Sequence, residues 1–115
     1  MRFAVNGVRY AFATEMNIRV LLLIITGEMT AALLLSVSTI ELLLLLWVAA
    51  TLLALELVNT AIERLADRVS TQQDMQIGIV KDVMAGAVMI ASLFAFLIAC
   101  AIFYRPLLQL LHFNN

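Results

Sequence analysis

The chain reads as an all-α integral membrane protein, with three transmembrane helices behind a short amphipathic surface helix. Three observations carry this reading. Hydrophobic residues make up 64% of the 115 positions and charged residues 13%, and mean hydropathy is +1.06, a balance foreign to soluble domains. The apolar residues gather into runs near the roughly 20 residues that a helix needs to cross a hydrocarbon core. One Pro and four Gly leave little material for long loops, and the near absence of β-branched alternation argues against strands. The length allows one domain at most. A formal net charge of −1 gives no basic footprint, so nucleic acid is not an expected partner. The single cysteine, Cys100, cannot close an internal disulfide and reads as packing.

The first element is expected over about residues 1–16. In MRFAVNGVRYAFAT, Arg2, Asn6 and Arg9 share one helical face, while Phe3, Val5, Val8, Tyr10 and Phe12 spread around the rest. That pattern suits a helix lying in the membrane surface; a continuous extension of the first span is the alternative. No compact apolar h-region precedes Val20, so a cleavable leader is not expected. The first span covers about residues 19–39. The second covers about residues 42–69, or ~42 Å at 1.5 Å per residue, which exceeds a core of ~30 Å. Its last turns therefore belong in the headgroup layer. The third span covers about residues 80–104.

Orientation follows from the basic residues. Arg2, Arg9 and Arg19 flank the N-terminal side, and Arg64, Arg68 and Lys81 flank the connection between the second and third spans. The connection between the first two spans has none, and Arg105 alone marks the far end. The N-terminus and the second connection are thus expected in the cytoplasm, with the protein multi-pass in the inner membrane. Ala87, Ala91, Ala95 and Ala99 recur every four residues along the third span; with Gly86 and Ser92 they form a face that another helix can approach closely. Three helices make a thin bundle, which favours a homo-oligomer.

The second span carries the feature that needs an explanation. Fourteen nearly pure apolar residues, LLLLLWVAATLLAL, run into ELVNTAIERLADR. At 100° per residue Glu56, Asn59, Glu63 and Asp67 fall at about 0°, 300°, 340° and 20°, one narrow stripe. A charge at the bilayer centre costs roughly 2.5–3.5 kcal/mol on insertion scales, so the stripe needs a use. Glu56 lies about 21 Å along the helix from Leu42, at membrane depth or its cytoplasmic edge, and Glu63 and Asp67 belong at the interface. Three uses compete. Plain pairing with Arg64, Arg68 or Lys81 accounts for Asp67 but poorly for Glu56. A small oligomeric transporter or channel subunit would use the stripe as an ion or proton path. A catalytic site would use two carboxylates, with Glu15 at the same boundary, to hold a hard divalent cation and leave one acid as base.

GIVKDVMAG sets Lys81 and Asp82 at the cytoplasmic start of the third span. A lysine there suits nucleotide phosphates and equally suits an ordinary flanking role. Gly7, Gly27, Gly78 and Gly86 are too sparse for a phosphate-cradling loop, which excludes a soluble kinase fold.

ELVNTAIE, Asp67 and KDVMAGAV together resemble the signature of the prokaryotic diacylglycerol kinase family, which includes the undecaprenol kinases. GVRYAFATEMNIR is similar to the segment that precedes the family's first span, and the likeness extends over about residues 3–92. The resemblance implies a homotrimer with sites between subunits, transferring the γ-phosphate of ATP to the hydroxyl of a membrane lipid. Carried over position by position, it implies Glu56 as the general base and Asn59 as the residue orienting the cluster. It further implies Glu15 and Glu63 as Mg²⁺ ligands on the ATP phosphates, with Glu63, Lys81 and Asp82 as nucleotide contacts. Arg19 joins Glu56 as a candidate contact to the lipid substrate. Two departures stand out: Leu21 replaces an acid usual in diacylglycerol-using members, and Gln72, Gln73 and Asp74 replace aromatic and His residues. No nucleotide contact is assigned to those three, and the acceptor stays open between diacylglycerol and undecaprenol. Glu28, about 220° around the helix from Glu15, has no counterpart in the scheme. His112 reads as a tail residue, Tyr104 and Arg105 as an outer-interface anchor, and Trp47 as outer interface or helix packing.

Overall fold

The computed structural model describes residues 1–69 and 74–113; Gln72 and Gln73 lie outside the described residues. Four helices follow one another: α1 (Arg2–Thr14), α2 (Met16–Leu34), α3 (Thr39–Val69) and α4 (Met75–Phe113). The last three are long and apolar enough to cross a membrane.

Each junction has a local cause. Between α1 and α2 only Glu15 leaves the helical region, at φ −109° and ψ 114°, and its N–H still donates to the Ala11 carbonyl at 2.8 Å. The surface helix is therefore a separate element and not an extension of the first span. Helix α2 ends at Leu34, five residues before the end expected from hydropathy. Ser36 takes φ 54°, its N–H reaches the Leu33 carbonyl at 3.2 Å, and the Val37 N–H reaches the Ala32 carbonyl at 3.2 Å. These are the two bonds of a Schellman motif, with serine in the left-handed position that glycine usually fills.

Helix α3 then opens on a capping box. The Glu41 N–H donates to Ser38 Oγ at 3.2 Å and the Ser38 N–H donates to Glu41 Oε1 at 3.1 Å, so two otherwise orphaned donors are satisfied reciprocally. Val37 and Leu42, before and after this cap, pack on the same cluster of Ala32, Leu45 and Ile102, as a hydrophobic staple does. Asp74 caps α4 by accepting the Gln76 N–H on Oδ1 at 2.8 Å. That cap starts α4 at Met75, ahead of the apolar run, and the helix continues through Pro106 for 39 residues.

Helix α3 is the centre of the bundle, in contact with α1, α2 and α4. Only nine of the described residues are buried: Ala11, Ile18, Ala32, Leu45, Ala49, Thr60, Ala66, Met84 and Ile102. Large apolar side chains such as Leu23, Leu34, Trp47, Phe94 and Phe96 stand exposed, which is tolerable where the surroundings are lipid or another apolar surface. Trp47 is therefore not a packing residue within its own chain. Exposed threonines close on their own helices: Thr26 Oγ1 donates to the Leu22 carbonyl, Thr30 to Thr26 and Thr51 to Trp47, at 2.8–2.9 Å, so these three hydroxyls do not face hydrocarbon unpaired. Along the alanine ladder, Ala91, Ala95 and Ala99 are half-buried and Ala87 is exposed. Ala95 and Ala99 line an apolar groove of about 840 Å³ between α2 and α4, and Glu28 lies on its α2 wall.

Candidate active site

The polar stripe of α3 runs along a gradient of exposure. Glu56 and Asn59 are half-buried, and Glu63 and Asp67 are exposed, so the file leads from the chain's packed zone into open surface. Seven residues separate Glu56 from Glu63, two turns that return to nearly the same angle. Asn59 Nδ2 donates to Glu63 Oε1 at 3.5 Å, one turn apart on the same face. Thr60, buried beside them, donates its hydroxyl to the Glu56 backbone carbonyl at 3.0 Å. That bond satisfies the buried hydroxyl on the backbone and leaves the Glu56 carboxylate out of it.

The α1–α2 joint brings Glu15 to this file. Arg64 Nη2 donates to Glu15 Oε1 at 2.9 Å, and the guanidinium carbon lies 5.6 Å from the centroid of the Tyr10 ring. Glu15 is thus level with the turn that carries Glu63. Glu63 shares a face of α3 with Glu56, and Glu15 is bonded to Arg64, the residue next to Glu63, so acids up to 48 residues apart in the chain lie at neighbouring turns of α3. The α3–α4 hairpin supplies a cation. Lys81 Nζ donates to Asp67 Oδ1 at 2.8 Å, and the charge of Glu63 also reaches Lys81. Among the described residues, no hydrogen bond or ion pair joins Asp82 or Arg19 to the cluster, and both are exposed. Glu28 is far away, in the α2–α4 groove.

The structure thus brings Glu15, Glu56, Asn59, Glu63 and Lys81 into one neighbourhood. It also adds Tyr10 and Thr60, which stripe reasoning missed, and it pairs Arg64, expected as a partner for the stripe's own acids, with Glu15. Arg64 lies about 80° from Glu56 on the helix wheel, outside the stripe, and its partner Glu15 is 49 residues away. Thr60 carried a legible signal, a hydroxyl one turn after a membrane-depth acid.

The oxygen donors suit a hard divalent cation. Magnesium commonly takes only one or two protein carboxylates and fills its shell with water and substrate phosphates. Among the described residues, no three His, Cys, Asp or Glu side chains converge to hold a metal ion, and one oxygen of Glu15 is taken by Arg64. The chemistry of these oxygen donors is thus compatible with a hard divalent cation held by one or two protein carboxylates.

The prokaryotic diacylglycerol kinase family matches residues 2–103. A Synechocystis sp. protein named diacylglycerol kinase is 36% identical over 111 residues, which cover 96% of this chain and 63% of that relative. The chain thus spans just under two thirds of the relative's length. It belongs to the prokaryotic diacylglycerol kinase family.

Proposed function

We propose that this family member is an ATP-dependent lipid kinase that transfers the γ-phosphate of ATP to the hydroxyl of a membrane lipid. Diacylglycerol, giving phosphatidic acid, is the favoured acceptor, because the Synechocystis relative is named for it; undecaprenol, giving undecaprenyl phosphate, is the acceptor the reading must be tested against. One observation carries the proposal. The file Glu56–Asn59–Glu63 leads from half-buried to exposed positions, with Glu15 brought in from the α1–α2 joint and Lys81 from α4. A lipid alcohol and a soluble triphosphate can meet along such a file.

Glu56 is the base. It takes the proton of the lipid hydroxyl, the hydroxyl oxygen bonds to the γ-phosphorus, and the bond from that phosphorus to the bridging oxygen of ADP breaks. Thr60, spent on the backbone carbonyl of Glu56, does not compete for its carboxylate. Asn59 steadies Glu63 through its amide. Lys81, tethered by Asp67, supplies positive charge toward the phosphates, and Asp82 and Glu63 complete the nucleotide contacts. Glu15 and Glu63 would hold Mg²⁺, which when bound supplies charge neutralisation on the triphosphate. Arg19, exposed at the start of α2, would face the lipid headgroup. Catalysis on this reading is mainly positioning and charge stabilisation.

The subunit buries so few residues that a homotrimer with intersubunit sites supplies the missing walls. The clustering of Arg and Lys near α1 and the α3–α4 connection supports a cytoplasmic site in the inner membrane. The deciding experiment incubates purified protein in lipid nanodiscs with labelled ATP and a panel of diacylglycerol, undecaprenol and ceramide. Mg²⁺-dependent label in diacylglycerol is the expected result. Ion flux through the protein without any lipid labelling would favour the transporter reading instead.

A further inference from the structure

The geometry points to Arg64 as a positioning residue: with Tyr10 it forms a clasp that holds Glu15 beside Glu56 and Glu63. The chemical part of this inference rests on the kinase reading above, but the clasp itself stands on contacts alone. Glu15 is the one non-helical residue between α1 and α2, so a single pair of torsions sets the angle between the two helices and aims its side chain. Nothing in such a joint is rigid by itself. Arg64, from the middle helix of the subunit, fixes it at two points, through the 2.9 Å bond to Glu15 Oε1 and by lying 5.6 Å from the Tyr10 ring centroid. Three elements, α1, the joint and α3, meet on one guanidinium.

Arginine suits this task where lysine would not. Its planar head stacks on an aromatic face while its edge donates to a carboxylate, so two partners are held in one geometry. A lone surface ion pair would contribute little, and the Arg64 side chain is 51% exposed, but Glu15 is only 23% exposed and the ring restricts where the guanidinium can sit. The charge also has a use. Glu15, Glu56 and Glu63 repel one another, and a free joint would let Glu15 swing away before any cation arrives. Arg64 offsets that repulsion, occupies one Glu15 oxygen, and leaves Oε2 without a protein hydrogen bond among the described residues. Glu15 is thus presented with one oxygen available to a cation.

The test compares Arg64→Ala, Arg64→Lys, Tyr10→Phe and Tyr10→Ala in the full chain. Three readouts are used: Mn²⁺ binding in the presence of a non-hydrolysable ATP analogue, followed by electron paramagnetic resonance; amide exchange across α1; and steady-state transfer. Arg64→Ala should raise the Mn²⁺ midpoint about tenfold, in the range seen when residues supporting a metal ligand are removed. It should also speed α1 exchange, and lower kcat at saturating metal far less than it shifts the midpoint. Tyr10→Phe keeps the ring face and the midpoint, whereas Arg64→Lys and Tyr10→Ala give intermediate shifts and carry the test if Arg64→Ala does not fold. An unchanged or lowered midpoint in an active Arg64→Ala protein overturns the positioning role alone, since Arg64 would then be idle or a competitor for Glu15. A wild type that transfers no phosphate overturns the kinase reading, and the positioning role with it, while α1 exchange still reports whether the clasp exists.

Discussion

Replacing Glu56 by Gln tests the core of the chemistry at little structural risk. The two side chains have the same shape, and the structure gives the Glu56 carboxylate no ion pair to lose among the described residues. The Thr60 hydroxyl bonds the Glu56 backbone carbonyl, so that bond survives the substitution. Glu15 and Glu63 both act on Glu56 as like charges, and removing one member of a repelling group should leave stability unchanged or slightly improved. Turnover should behave very differently. General-base catalysis is typically worth about 10²–10⁴-fold, or roughly 3–5 kcal/mol of barrier at 1.36 kcal/mol per decade. The assay measures kcat and both KM values for ATP and diacylglycerol in mixed micelles, beside nucleotide binding and thermal melting of the same preparation. The expected pattern is a kcat lower by at least about a hundredfold, with ATP affinity and melting temperature close to wild type. Turnover within about tenfold of wild type would remove Glu56 as the base, because a general base contributes more than that. A hundredfold loss accompanied by lost ATP binding would instead place Glu56 in the nucleotide site.

Glu63→Gln should raise the Mg²⁺ concentration needed for half-maximal transfer by about tenfold and leave the lipid KM alone; an unshifted metal titration would exclude it as a ligand. Lys81→Met should raise the ATP KM, and Asp67→Asn should lower it, because Asp67 holds the Lys81 ammonium at 2.8 Å and its release frees that charge for phosphate; equal effects of both variants would make the pair purely structural. Ser38→Ala should cost about 1 kcal/mol, the usual worth of a helix N-cap, read as a melting point lower by a few degrees with transfer unaffected, since both bonds of the α3 capping box lie at the far end of the helix from the site. A melting point equal to wild type would show that the turn between α2 and α3 is held by the Val37 and Leu42 packing alone.

Much of the architecture can be read from local pattern, because local pattern is what decides it. Runs of apolar residues become helices in a bilayer since no other open structure satisfies its own backbone there, and a 3.6-residue period places Glu56, Asn59, Glu63 and Asp67 on one face whatever surrounds the helix. Even the end of α2 and the start of α3 were legible in principle. Ser38-x-x-Glu41 is a capping box in plain sight, and hydropathy alone overlooked it by counting Ser36–Thr39 toward a membrane span. The same holds for Asp74, whose side chain starts α4 ahead of the apolar run.

What local pattern could not choose was partners. Arg64, Arg68 and Lys81 were equally eligible to neutralise the stripe's acids, yet Lys81 meets Asp67 and Arg64 meets Glu15, 49 residues distant. The Tyr10 ring beside Arg64 and the facing of Ala95 and Ala99, but not Ala87, toward neighbouring helices belong to the same class. Periodicity along one helix specifies which residues share a face. Which face of one helix meets which face of another depends on the crossing of whole helices and on the angle at single joints such as Glu15, and these are set only when the pieces pack.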